Sequence, residues 1–135
     1  MGLADDIIAH LGGAYGAEAL SVLALVERDG ALGARLLADL PYIAAEIVYV
    51  CREEKALTVE DALTRRTHIA LEDRLRGAAI ASEVARLMAP ARGWDTAEQE
   101  RQTERYLTSA RMHAGPLAHR LPPSPSRAAA SPPAS

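Results

Sequence analysis

The residues most ready for chemistry lie in ALTVEDALTRRTHIAL, residues 56–71, where two arginines stand side by side just after a helix start. Adjacent guanidiniums can grip the phosphates of a nucleic acid, or they can tie a helix to carboxylates of their own protein. Spacing gives the pair different addresses. Arg65 follows Asp61 by four residues, the separation of a surface ion pair on a helix. Arg66 falls instead on the stripe formed by Val59, Ala62, Leu63, Ile69 and Ala70. An unpaired guanidinium in such a stripe is too costly, so Arg66 needs an acid. Glu46 and Glu54, near the apolar side of the preceding helix, are the candidates, and either would bridge the two helices.

Other reactive side chains are dispersed. The histidines, at 10, 68, 113 and 119, fall on separate elements and show no ligand spacing for a metal. Ser21, Thr58 and Ser82 sit in no nucleophile motif. Cys51 follows Val48, Tyr49 and Val50, the surroundings of an inert buried thiol. Asp5-Asp6, Glu53-Glu54 and Glu60-Asp61 serve helix starts and solvated faces. GGAYG lacks the G-x-G-x-x-G spacing and has no strand before it, so it reads as a turn between helices. No residue is therefore assigned a catalytic, cofactor-binding or metal-ligating role. The interaction candidates are Glu46, Arg52, Glu54, Asp61, Arg65 and Arg66.

The elements that position them are helical. The apolar half of the 135 residues is alanine and leucine, with no phenylalanine, a composition that favours closely packed helices. Asp5 or Asp6 is expected to cap a first helix that ends at Gly12-Gly13. A second runs from Glu18 to Val26 with Leu20, Leu23 and Val26 inward, and ends near Asp29-Gly30. After Pro41, Ile43, Ile47, Val50 and Glu54 recur at helical spacing despite the strand propensity of Ile47-Val48-Tyr49-Val50. Thr58 caps the next helix, another spans 78–88 and stops before Pro90, and Asp95 with Glu98 forms a capping box for the last. This describes an all-α bundle of about five to six helices over residues 4–113. A disordered proline-, serine- and alanine-rich tail follows over 114–135.

The formal charge is −3, and the tail contributes Arg120 and Arg127 without an acid, so the remainder is more acidic still. That opposes the broad positive footprint of a nucleic-acid binder. A helix-turn-helix built on the arginine pair stays as the rival, alongside a protein-interaction module. A lone cysteine fits a reducing, cytoplasmic setting. No stretch approaches the roughly 20 apolar residues of a bilayer span.

Three segments together resemble a known family. They are YGAEALSVLALVERD, LPYIAAEIVYVCREEKALTVEDALTRRTHIAL and GWDTAEQERQTERY. They are similar to the C-terminal helical domain of bacterial FAD-dependent glycerol-3-phosphate dehydrogenases and glycerophosphate oxidases. The most specific part comprises Leu40-Pro41-Tyr42, Ala45-Glu46, Tyr49, Arg52 and Glu54, then Leu57-Thr58, Asp61, Leu63 and Arg65-Arg66-Thr67. The resemblance implies an accessory domain packed on a flavoprotein body, with the arginine pair in its framework or in its contact with that body. FAD would belong to the parent enzyme, and the membrane would be reached only through it. The partner implied is a dehydrogenase body or a second copy. The chain departs from the family in having Glu53 where a histidine is usual before the Glu54 position, and in lacking the FAD-binding and substrate domains. It is accordingly expected to be a split, truncated or excised accessory domain without activity of its own.

Overall fold

Helix α3 (Ala44–Glu53) is buried from Ala44 through Cys51, and that single fact organises the architecture. A helix apolar all round must be covered on every side. The structure is a computed structural model and describes residues 2–73 and 75–114. Among them it is all-α, with no strand and one isolated bridge between Arg35 and Ile43. The strand propensity of the 47–50 run is overridden because burial on both faces suits a core helix equally well.

Two apolar clusters meet on α3. One face packs on α1 (Asp5–Tyr15) and α2 (Ala19–Arg28) through Ile7, Leu11, Val22, Val26 and Tyr49. The other packs on α5 (Ala81–Arg92) and α6 (Thr96–Ala114) through Ile47, Val50, Val84, Met88 and Leu107. Between α3 and α5 the chain forms a π turn (Asp61–Arg66) and the short helix α4 (Ile69–Glu72). Leu63 and Ile69 from this stretch enter the second cluster.

Several boundaries differ from the sequence expectation for identifiable reasons. Ala4, not an aspartate, occupies the N-cap of α1, while Asp5 and Asp6 sit in its first turn. Asp6 is engaged elsewhere: both its oxygens accept from Arg35, at 2.9 Å each, clamping α1 to the 34–43 loop. Helix α1 also runs through Gly12-Gly13 and ends at Gly16, whose φ of 57° breaks the direction. Leu20 faces outward, and the inward row is Ala19, Val22 and Val26, with Leu23 partly buried beside it, because residues 19, 22 and 26 share one face at intervals of three and four. Counted together, Asp5–Arg28 is a 24-residue stretch with an 18-residue window of mean hydropathy 1.3, long and apolar enough to cross a membrane by those two measures alone. This corrects the expectation that no stretch approaches that length. In the fold, the break at Gly16 divides it into two helices.

Pro90 lies inside α5 rather than after it, and Gly93 at φ 72° provides the stop. In the last turn, proline forfeits one hydrogen bond without ending the helix. Asp95 caps α6 as expected, accepting from the Glu98 N–H at 2.8 Å. Glu98 turns to Arg101 and Gln102, so the reciprocal half of that box is not made. The tail assigned to 114–135 lies, beyond Ala114, outside the described residues.

Gly77 combines a left-handed backbone with close packing. It turns at φ 77° with Ile69 and Leu63 methyl carbons 3.3 and 3.4 Å from where a Cβ would stand. Gly77→Ala should cost about 1–2 kcal/mol from the left-handed backbone alone. A urea denaturation midpoint unchanged from wild type would contradict this packing.

Candidate functional site

Four of the six candidates line one polar cleft or its floor. A cavity of about 430 Å³ opens between α1, the start of α3 and the end of the π turn, and is lined by Glu46, Glu54, Arg65 and Arg66 among others. Glu46 forms its floor and is fully buried.

Both oxygens of the Glu46 carboxylate are engaged. One oxygen, Oε1, receives the Tyr15 hydroxyl at 2.9 Å and lies 2.8 Å from His10 Nε2. The other, Oε2, accepts the Ile43 backbone N–H at 2.8 Å. The Ile43 bond also satisfies a donor at the N-terminus of α3, where the helix dipole favours a negative charge. His10 stacks edge-on against Tyr42, ring centroids 4.4 Å apart, and Tyr42 donates to Glu72 at 2.8 Å. Tyr15 meets Tyr49 edge-on at 5.4 Å, and Tyr49 donates to Glu18 at 2.9 Å.

The hydrogen bond to Glu46 raises the His10 pKa above its ordinary value, against the opposing effect of burial. Burial, reinforced by Glu46, pushes the Tyr15 phenol well up; burial and the bond to Glu72 do the same to Tyr42. Burial first, then the bond to Glu18, pushes Tyr49 up to about 12. These phenols are therefore fixed donors, unsuited to proton transfer near neutrality. Cys51 is a free, buried thiol, pushed up by its burial and so a poorer nucleophile. The arrangement binds elements together and activates no nucleophile. Among the described residues no three His, Cys, Asp or Glu side chains gather as a metal site.

Arg66 is not where its spacing placed it. Arg66 does pair with Glu54, one of the two acids expected, but loosely at 4.0 Å and with its side chain 44% exposed, so the bridge is not buried. Glu46 takes no part in it. The π turn explains the change. Thr67 N–H and Oγ1 both donate to the Ala62 carbonyl, at 3.1 and 2.6 Å, five residues back. The wider turn inserts one residue into the helical count. Thr67 consequently takes the buried place on the stripe, 4% exposed, and Arg66 joins Arg65 at the rim of the cleft.

Asp61 and Arg65 lie 3.4 Å apart at the expected four-residue separation. Asp61 also closes a reciprocal cap, its N–H donating to Thr58 Oγ1 and its Oδ2 accepting from Leu57 N–H. Arg52 is not brought to the cleft; it projects into a separate groove between α2 and α3. The participants that sequence reasoning passed over are His10, Tyr15 and Tyr42. His10 and Tyr15 precede Glu46 by 36 and 31 residues, separations with no periodic signal.

The model of a protein family described as the C-terminal domain of alpha-glycerophosphate oxidase matches residues 1–99. Glycerol-3-phosphate dehydrogenase 2 of Mycobacterium tuberculosis is 35% identical over 121 residues, covering 90% of this chain and 20% of that protein. A probable mitochondrial glycerol-3-phosphate dehydrogenase of Dictyostelium discoideum is 32% identical, covering 78% of this chain and 17% of the relative. A glycerol-3-phosphate dehydrogenase of Synechocystis is 33% identical over 99 residues, covering 73% and 18%. The chain thus spans about a fifth of the length of these curated relatives. No solved structure matches.

Two predictions follow from the geometry of Glu46. Glu46→Ala orphans buried donors from α1 and α3 and should cost about 3–5 kcal/mol, whereas Arg66→Ala should cost under about 1 kcal/mol. Comparable losses of melting temperature in the two variants would refute this ranking. The second concerns pH. Because the folded pKa of His10 is raised above 6.5, its contribution to stability is complete below that value and is lost as pH rises through the folded pKa. The stability difference between wild type and His10→Gln should therefore shrink from mildly acidic to alkaline pH. A difference independent of pH in urea titrations would show that the His10–Glu46 pair carries no proton linkage.

Proposed function

We propose, for a chain that belongs to the family of the C-terminal domain of alpha-glycerophosphate oxidase, that it is a non-catalytic accessory domain working on a flavin-dependent glycerol-3-phosphate dehydrogenase body. The observation that carries this reading is the match to that C-terminal domain over residues 1–99. The internal chemistry supports it. The motif residues Glu46, Asp61 and Thr58 are engaged in holding this domain's own helices.

The described residues do not fit an FAD site. The pyrophosphate of a dinucleotide needs a strand, a glycine-rich loop and a helix N-terminus in succession. Here Gly12 and Gly13 lie within α1, and no strand occurs among the described residues. The flavin that oxidises the alcohol would reside in the partner, which supplies the cofactor's chemistry. Contact with that partner falls on the rim of the polar cleft. Arg65 and Arg66 stand there 74% and 44% exposed, while Leu57 and Leu71, exposed on either side of the π turn in sequence, supply apolar surface for a partner to cover. The acidic charge of the chain favours such a protein partner over nucleic acid. A cytoplasmic setting, with the membrane reached only through the partner, goes with this reading.

The purified chain should lack flavin absorption and show no glycerol-3-phosphate-dependent dye reduction with added FAD. Mixed with a dehydrogenase body lacking its own C-terminal fifth, it should co-elute and change the activity of that body. Intrinsic activity of the isolated chain would overturn the proposal, as would absence of any complex with a folded, flavin-loaded body.

A further inference from the structure

Helix α1 has little of its own to hold it. Its N-cap, Ala4, offers no side-chain acceptor, and its last turn carries no basic residue, so neither end gains from a cap or a compensating charge. Gly12 and Gly13 stand inside it, where glycine is a poor helix former. A Cβ at either position would meet no atom within 4 Å, so packing does not call for glycine there. Gly16, at φ 57°, then ends the helix. Within α1 only Ile7 and Leu11 are buried, against eight residues of α3 and six of α5.

Three polar side chains fasten this helix to the rest. Asp6 pairs with Arg35, but its side chain is 56% exposed, and a pair so close to water adds little. The other two converge on one oxygen of the buried Glu46, His10 at 2.8 Å and Tyr15 at 2.9 Å. Away from water such bonds to a carboxylate are strong. Burial pushes the Tyr15 phenol well up, so of these two anchors only the imidazole changes charge near neutrality. The groups facing His10 come from α3, the loop before it and α4. They are Glu46, the Tyr42 ring at 4.4 Å and the negative charge of Glu72. Tyr15, on α1 itself, meets the imidazole edge-on at 6.5 Å. Glu54, Arg65, Arg66 and His68 line the same cleft.

We propose that α1 is a pH-gated lid, which unfolds locally up to Gly16 while α3, α5 and α6 stay folded, with the charged imidazole of His10 as its latch. In the shut form the bond to Glu46 holds the His10 pKa above 6.5 against burial, and the charges of Glu46 and Glu72 add to it. In the open form the imidazole is solvated and returns to its ordinary value. The latch is therefore fully set below about pH 6.5 and is lost as pH rises through the shut-form pKa. A neutral imidazole still donates to Glu46 but without charge assistance. Opening removes the wall of the polar cleft that His10, Ala14 and Tyr15 supply, so the cleft is complete only while the lid is shut. The lid is a property of this chain alone and does not depend on the docking reading.

Hydrogen–deuterium exchange of the full 135-residue chain, divided by the intrinsic rates, tests the lid from about pH 5.5 to about pH 8.5. The α1 amides should exchange by an opening that leaves α3 and α5 protected. Its equilibrium constant should rise about fivefold across that range, the worth of the charge assistance that a neutral imidazole forfeits. In His10→Gln the constant should be high and independent of pH, whereas His68→Gln should keep the wild-type rise. Tyr15→Phe removes the other anchor, so it should raise opening at every pH and leave the rise intact. Gly12→Ala strengthens the helix where a Cβ meets nothing, and should lower opening about fivefold throughout. Protection in α3 and α5 shows in each variant that the body is folded. Exchange of α1 in step with α3 and α5 at every pH would overturn the proposal. A rise that survives His10→Gln, or is lost in His68→Gln, would do so too, as would opening that Gly12→Ala leaves unchanged.

Discussion

A carboxylate placed in the core at the junction of two helix layers is the constraint on which the remaining structure depends. Glu46 has no exposed surface, and its oxygens are reached by His10, Tyr15 and the Ile43 backbone. A buried charge adds little net stability beside an apolar replacement, but every arrangement that leaves it unpaired is strongly penalised. The position of α1 against α3 follows from that penalty. Only a helix that delivers an imidazole and a phenol to the same point satisfies Glu46, and Gly16 lets the chain turn away once Tyr15 has been delivered.

The second cluster is arranged around the same helix. With α3 covered on one face by α1 and α2, its other face receives α5, α6 and the π turn. Small side chains make this possible: Ala44, Ala45, Ala81 and Ala85 are all buried, letting helices approach without large aromatics to fill gaps. Tyr106 and Ser109 of α6 reach the Arg76 carbonyl and Glu60, tying the last helix to the irregular stretch before α5. That stretch carries three non-glycine residues in the left-handed region, Lys55, His68 and Arg76. Such backbone persists only where surrounding contacts over-determine it.

Polarity is consequently sorted between inside and outside by backbone geometry as much as by residue type. The π turn is the plainest instance. It sends Thr67 inward, where its hydroxyl is satisfied by a carbonyl, and leaves Arg65 and Arg66 on the rim with weak, long ion pairs. Guanidiniums held so loosely remain open to a partner's carboxylates, which fits a domain that works by contact. The internal network thus serves stability, and the exposed rim is the surface proposed for recognition.

The sequence by itself determined the helical class, the central apolar helix, the Thr58 and Asp95 caps, and the Asp61–Arg65 pair. All of these rest on residues within one or two turns of each other, where spacing translates directly into contact. The family was legible for the same reason, since its motif runs almost unbroken from Leu40 to Thr67. The partner of Glu46 was not legible, because His10 and Tyr15 reach it only after two helices have folded against a third. Nor was the address of Arg66, which a uniform helical count places inward. One residue accommodated in a π turn moves it outward, and whether a turn widens is decided by how Leu63, Thr67 and Ile69 fit the core. Local periodicity fixes which elements form; packing between distant elements decides which side chains meet.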